Sequence, residues 1–403
     1  MRRWAAAGLL AAGLAPAQDW PQFLGPARNG AAEGLTIQPW GPQGPPVVWK
    51  RDAGQGFSGP VVAEGRLILF HRVGGREKVE CLDAATGKPL WSYDYPTSYR
   101  DDFGFDEGPR GTPAIAGGRV YTYGAEGALH CLDLTSGKKI WSVETQKTFG
   151  ASKGFFGAAC SPLVEGDRVL VGVGGKSGGI VAFHKDTGQV LWTATTDEAG
   201  YSSPAAATIG GERHALFFTR SGLVDLDPAA GKVRFQFPWR SRGQASVNAA
   251  TPLVAPGGLV FLSASYGTGA AVLEVKGTTA RKLWSSDDVL SNHYATSVYR
   301  DGYLYGYHGR QEEGPSLRSV ELKTGKVAWS EDGFRAGTVT LVGDQLLVLR
   351  EGGELLLAAA TPKGFRPSAR APLLPATMRA YPALADGRLY ARNERTLICV
   401  RLK

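Results

Sequence analysis

The sequence predicts an all-β chain: an eight-bladed β-propeller of four-stranded antiparallel blades, its ring closed by an N-terminal strand that completes the last blade. Three observations predict it. The stretch Cys81-Leu82-Asp83-Ala84-Ala85-Thr86-Gly87-Lys88-Pro89-Leu90-Trp91 returns as Cys131-Leu132-Asp133-Leu134-Thr135-Ser136-Gly137-Lys138-Lys139-Ile140-Trp141, with looser copies at residues 183–192, 226–235 and 320–329. Each copy reads as strand, tight turn, strand, because Asp83 starts a turn through its own side chain and Gly87 supplies a positive φ. The copies recur at roughly 40 to 50 residues, the period of a blade that cannot bury its faces alone. Finally, 55 Gly and 24 Pro in 403 residues, with 43% hydrophobic residues, suit many short strands joined by turns.

Taken in order, the chain opens with Met1-Arg2-Arg3, an apolar run over residues 4–14, and Ala15-Pro16-Ala17. A basic start, a short apolar segment and a small-x-small site read as a secretory signal peptide cut after Ala17, and ~11 apolar residues are too few to span a bilayer. The expectation is a periplasmic or secreted protein with no transmembrane span. Residues 18–46 are too rich in Pro and Gly for a regular element and form an extended arm pinned by Trp20 and Phe23. The propeller then occupies residues 47–403.

Its units open on short apolar runs near Pro60, Pro113, Pro162, Pro204, Pro252, Ser297, Val339 and Pro382, eight starts in all. The eighth unit runs out of chain after its third strand, while residues 47–51, with Trp49, are left over at the front. Pairing these beside residues 397–401 closes the ring, and closure removes two apolar faces and two unpaired edges. The fourth-strand aromatics are Trp49, Trp91, Trp141, Trp192, Phe235, Trp284, Trp329 and Phe365, large flat side chains for packing between blades. Cys81, Cys131 and Cys399 recur at one position, the inward-looking start of a third strand, which keeps them a blade apart and disfavours disulfides. They, with Cys160, read as buried apolar residues.

The phrase Leu-Asp-x-x-Thr-Gly-Lys-x-x-Trp, with Ser-Pro or Thr-Pro opening the next blade, resembles the PQQ-like repeat of the quinoprotein alcohol-dehydrogenase-like propellers. That family includes pyrroloquinoline-quinone dehydrogenases and the non-catalytic propeller lipoprotein of the outer-membrane β-barrel assembly machinery, and the chain looks nearer in type to the latter and to exported single-propeller relatives. The repeated residues are those that build blades, so the resemblance implies a fold more than a function. For a dehydrogenase it implies a calcium site of Glu, Asn and Asp, a catalytic Asp, an adjacent-cysteine disulfide and a Trp floor. This sequence has no adjacent cysteine pair.

In a propeller the loops joining a fourth strand to the next first strand gather around the channel mouth, where a ligand would sit. Arg110, Tyr201, Asn248, Asn292, His293, Arg335 and Arg379 fall in or beside those loops and are the candidate binding residues. The arginines either grip a carboxylate-bearing ligand by bidentate pairing or are paired with Asp106, Glu107, Asp287 and Asp288. No catalytic residue and no metal ligand set is assigned: the six histidines include no pair at ligand spacing. Gly175-Lys176-Ser177-Gly178-Gly179 lies between two strands rather than before a helix, so it is neither nucleophile elbow nor phosphate loop. The net charge of +8 is scattered, with no run that would track nucleic acid.

The expected function is an exported scaffold, a monomer that binds an envelope protein or a small anionic ligand without catalysis. The alternative is a quinoprotein-type oxidoreductase holding pyrroloquinoline quinone and Ca in the channel mouth. Two of the mouth loops are long, residues 95–112 and 145–161.

Overall fold

A computed structural model describes residues 19–243 and 246–403, so the expected leader, residues 1–17, lies outside the described residues. Eight sheets of four antiparallel strands follow one another among the described residues, one of them extended by a fifth, parallel strand. Blade one shows the plan: Val61–Ala63 innermost, then Arg66–Val73, Arg76–Asp83 and, outermost, Pro89–Pro96. The innermost strands of blades two to eight are Ala114–Ala116, Leu163–Glu165, Ala205–Ile209, Leu253–Ala255, Val298–Arg300, Gly337–Val342 and Ala383–Ala385. Middle strands such as Arg66–Val73 are buried along almost their whole length because a blade lies against each face; outermost strands alternate instead, one side packed and one wet. The last blade is completed from the front of the chain, Val47–Asp52 pairing antiparallel with Thr396–Arg401 so that Trp49 lies opposite Cys399.

The repeated phrase is a docking device between blades. Asp83 accepts hydrogen bonds from the Thr86 amide at 2.8 Å and its hydroxyl at 2.7 Å, which fixes the turn, and Gly87 follows at φ +70°. Gly87 is also where the indole of Trp49, from the preceding blade, lies: a Cβ there would come within 2.7 Å of the ring. Trp91 covers Gly137, Trp141 covers Gly188, Trp192 covers Gly231 and Trp284 covers Gly325 in the same way. Indole N–H groups then donate across the interface, from Trp49 to the Ala84 carbonyl, Trp91 to Leu134, Trp141 to Lys185, Trp284 to Leu322 and Trp329 to Thr361. Trp192, which faces the one such turn carrying a proline after its Asp, makes no such bond among the described residues.

The Ser/Thr-Pro openings form a second link. Gly59 donates to the Thr112 hydroxyl at 3.0 Å, Thr112 to Ser161 at 2.9 Å, Ser161 to Ser203 at 3.0 Å and Thr251 to Thr296 at 2.9 Å, each amide bonding the hydroxyl of the next blade at the channel wall.

Three expectations are corrected. Phe365 is not a fourth-strand residue: it sits in the turn before Pro367–Pro372, and Ala369, opposite Leu357, takes the docking register. With no Thr-Gly-Lys turn in blade seven, Phe365 itself fills the interface, its ring centre 5.7 Å from that of Trp329 and tilted against it, while Leu35, Ile37 and Trp40 of the arm pack where blades seven and eight meet. Cys81, Cys131 and Cys399 lie near the ends, not the starts, of their third strands; with Cys160 they are free and buried. The arm, expected to hold no regular element, contains the two-residue strand Ala31–Ala32. Trp20 bridges antiparallel to Val62, Ala31–Ala32 pairs parallel with the inner strand of blade seven, and the turns between them sit inside the ring as a plug. At its centre the buried Arg28 guanidinium donates to the carbonyls of Pro204 (2.8 Å), Pro162 (2.9 Å) and Ser161 (3.2 Å), tying blades three and four together.

A candidate binding cavity at the channel mouth

Above the plug, the loops of the mouth enclose a cavity of about 540 Å³. Its walls are mostly rings: Phe57, Phe103, Phe105, Phe156, Tyr201, Tyr266, Tyr294 and Tyr381 from the loops, and Phe23 from the arm, edge-on to Tyr381 at 5.1 Å. Arg110, Arg310 and Arg379 are set among them, with His293, Gln311 and Glu312 on one side.

Loop 95–112 is built on two carboxylates. Asp101 accepts the amides of Phe103 (2.9 Å), Phe105 (3.0 Å) and Asp106 (3.1 Å) and holds Arg110 at 3.0 Å; Asp106 accepts Gly108 and, from the neighbouring loop, Gly56. So clamped, Arg110 lies over the rings of Phe57, Phe156 and Tyr99 at 5.4, 5.5 and 5.8 Å. Loop 145–161 is pinned by Tyr201, whose hydroxyl accepts the Phe155 amide at 2.7 Å and the Phe156 amide at 3.4 Å. Lys153 reaches Asp102 at 2.5 Å and joins the two long loops. Their phenylalanines meet over one edge of the cavity, Phe103 to Phe156 at 5.3 Å and Phe103 to Phe155 at 6.0 Å, leaving Phe103 53% and Phe105 45% exposed.

Arg379 is bonded to Glu351 and lies over Phe57, Phe105 and Tyr294; Arg310 lies 4.7 Å from the centre of Tyr266 and 3.3 Å from Glu312. His293 is held at both nitrogens, Nδ1 at 2.5 Å from Gln311 Oε1 and Nε2 at 2.7 Å from the Tyr266 hydroxyl. Because the Gln311 oxygen only accepts, Nδ1 carries the proton and Nε2 accepts from tyrosine. Burial lowers the His293 pKa and so favours this neutral form.

Of the residues picked from the sequence, Arg110, Tyr201, His293 and Arg379 therefore line one cavity. Asn248 and Asn292 do not: each spends its amide on carbonyls of its own surroundings, Asn248 on Thr219 (2.8 Å) and Trp239 (3.1 Å), Asn292 on Tyr307 (2.7 Å). Arg335 is exposed, at φ +66°, outside the lining. The arginines' acidic partners are Asp101 and Glu351; Asp287 and Asp288 are exposed and outside the lining too. Sequence reasoning missed Phe23, Phe57, Tyr266 and the Arg310–Glu312 corner. The last two belong to loops joining second and third strands, which a four-stranded blade brings to the same face as the fourth-to-first connections. No group of three or more His, Cys, Asp or Glu that could hold a metal ion occurs among the described residues.

This ring of four-stranded blades, plugged at the axis and open at one mouth, defines a PQQ-like repeat propeller. Residues 75–331 match the family model described as outer membrane protein assembly factor BamB, and the chain belongs to that family. No curated protein matches the sequence. Among solved structures it is similar to BamB from Moraxella catarrhalis (18% identity over 89% of this chain and 97% of that one, TM-score 0.65). It is also similar to quinohemoprotein alcohol dehydrogenase from Comamonas testosteroni (15% identity, 95% and 80% covered, TM-score 0.67). The computationally designed Ika8 protein is similar as well (13% identity, 89% and 100% covered, TM-score 0.60). At these identities the likeness is one of fold.

Proposed function

We propose that this chain is an exported, non-catalytic binding propeller that presents its loop face, with the aromatic cavity at the centre, to a partner in the cell envelope. Membership of a family described as an outer-membrane assembly factor supports the setting, and among the described residues no helix is long and apolar enough to cross a membrane. One observation carries the non-catalytic reading: Arg110, Arg379 and His293 of the mouth are committed to neighbours, Arg110 to Asp101, Arg379 to Glu351, and His293 to Tyr266 and Gln311. A general base needs a lone pair free towards its substrate, and here the Nε2 of His293 is taken by a hydroxyl.

The quinoprotein alternative asks for oxygen ligands to calcium and a flat floor under the quinone. The residues present do not fit it. Asn248, Asn292, Asp287 and Asp288 all lie outside the cavity lining, and the floor is Phe23, carried by a segment that occupies the channel. The deciding experiment incubates the protein with pyrroloquinoline quinone and Ca²⁺. The expected result is no thermal stabilisation and no dye reduction with alcohols or sugars. Dye reduction above the quinone-only control overturns the proposal. In cells, a photo-crosslinker at Phe103 is expected to capture an envelope protein, and one at Thr86, on a blade turn, to capture none.

A further inference from the structure

We infer that the mouth cavity binds a neutral, flat aromatic molecule, and that Phe23 of the arm is the floor that sets how deep it enters. The inference rests on the binding reading above and names the occupant of the same site. Size comes first: about 540 Å³ falls within the roughly 300–1,000 Å³ of small-molecule sites. Charge comes second. Arg110, Arg310 and Arg379 each have a carboxylate, in Asp101, Glu312 and Glu351, and each lies over aromatic faces. An anion would have to compete with carboxylates already bound, and a cation would meet three guanidinium groups. An uncharged ring suits both surfaces, since it stacks on phenyl faces and guanidinium planes alike.

The plug supplies the third argument. With Trp20 bridged to Val62 and Arg28 bonded to the walls, the channel under Phe23 is filled by the arm, so a ligand enters from the loop face alone. The half-exposed rings of Phe103 and Phe105 stand at that entrance, and exposed aromatic clusters of this kind mark recognition surfaces. Arg28, beneath the floor, is held by carbonyls and the Gln22 side chain rather than by a carboxylate, so the test includes an anionic probe.

The test titrates the full mature chain with N-phenylnaphthylamine, a neutral dye that fluoresces in apolar surroundings, and with its anionic relative anilinonaphthalene sulfonate. Expected are saturable one-to-one binding of the neutral dye and weaker binding of the anion. Phe23→Ala and Phe105→Ala should each weaken the neutral dye about tenfold, the change that follows loss of one stacked ring. Phe105 is half-exposed, so its variant folds whether or not Phe23→Ala does. Absence of saturable neutral-dye binding, tighter binding of the anion, or unchanged affinity in Phe105→Ala overturns the inference. If the neutral dye fails while the quinone assay stays silent, only the ligand class falls; dye reduction in that assay removes the binding reading itself.

Discussion

Gly137→Ala tests whether the repeated turn is a docking device or only a turn, provided it is set against Gly117→Ala. Both glycines are at positive φ, +71° and +55°, so a methyl group costs each about 1 kcal/mol of left-handed strain. They differ in what lies above them. At Gly117 a Cβ meets nothing within 4 Å, whereas at Gly137 it stands 2.4 Å from Cε3 of Trp91 and 2.6 Å from Cδ2. Normal carbon contacts are about 3.5–4.0 Å, so the indole must retreat by about an ångström. It is then pulled from the Leu134 carbonyl, 2.9 Å away, a bond whose loss costs roughly 1 kcal/mol, and its packing is lost in part. The total for Gly137→Ala comes to about 3 kcal/mol against ~1 kcal/mol for Gly117→Ala. Urea denaturation followed by far-ultraviolet circular dichroism measures both. Equal losses for the two variants refute the docking argument, because they leave backbone strain as the whole effect.

Two further outcomes follow from the plug and from the buried histidines. Arg28→Met leaves the carbonyls of residues 161, 162 and 204 without their donor, in a place where burial already pulls the guanidinium down to about 10; loss of ~3 kcal/mol and faster proteolysis within residues 19–32 are expected, and an unchanged cleavage rate contradicts the plug. His130, packed against Tyr93 and Tyr95, has its pKa lowered to about 4, by burial first and then by Lys139. The unfolded chain therefore binds a proton that the folded one refuses, and stability present above pH ~6.5 falls as pH drops towards 4, by roughly 3 kcal/mol from this residue. His71, His293 and His308, also lowered, act in the same direction; Glu77 and Asp225, which burial raises, oppose part of it. His130→Phe keeps the stacking and should flatten the melting profile between pH 6.5 and 4, and an identical profile removes His130 as the cause.

What the sequence made legible is whatever repeats. A turn whose glycine must also carry a neighbour's indole leaves the same letters in blade after blade, and the leftover strand at Trp49 could be assigned because one unit lacked its fourth strand. What stayed hidden acts once. Arg28 meets Pro162 and Pro204, well over a hundred residues away, and no periodicity announces such a contact. Asn248 and Asn292 stand where a ligand-binding side chain would, and only their carbonyl partners reveal that they serve their own loops. In blade seven, the turn without Thr-Gly-Lys made the register ambiguous by four residues, enough to exchange Phe365 for Ala369.

This division also bears on function. A designed propeller matches the fold about as well as the natural relatives do, so the fold by itself selects no function. The cavity is made of the residues that do not recur: Phe23 from the arm, the Phe103 and Phe105 pair, the Phe156 edge and the arginines stacked on them. Their supports, Asp101 on three amides and an arginine, Tyr201 on two amides, and Lys153 across to Asp102, pin two long loops that a bare propeller has no need to order. Holding exposed phenyl groups in fixed positions costs conformational entropy and exposes apolar surface, and a binding partner that covers them offsets both.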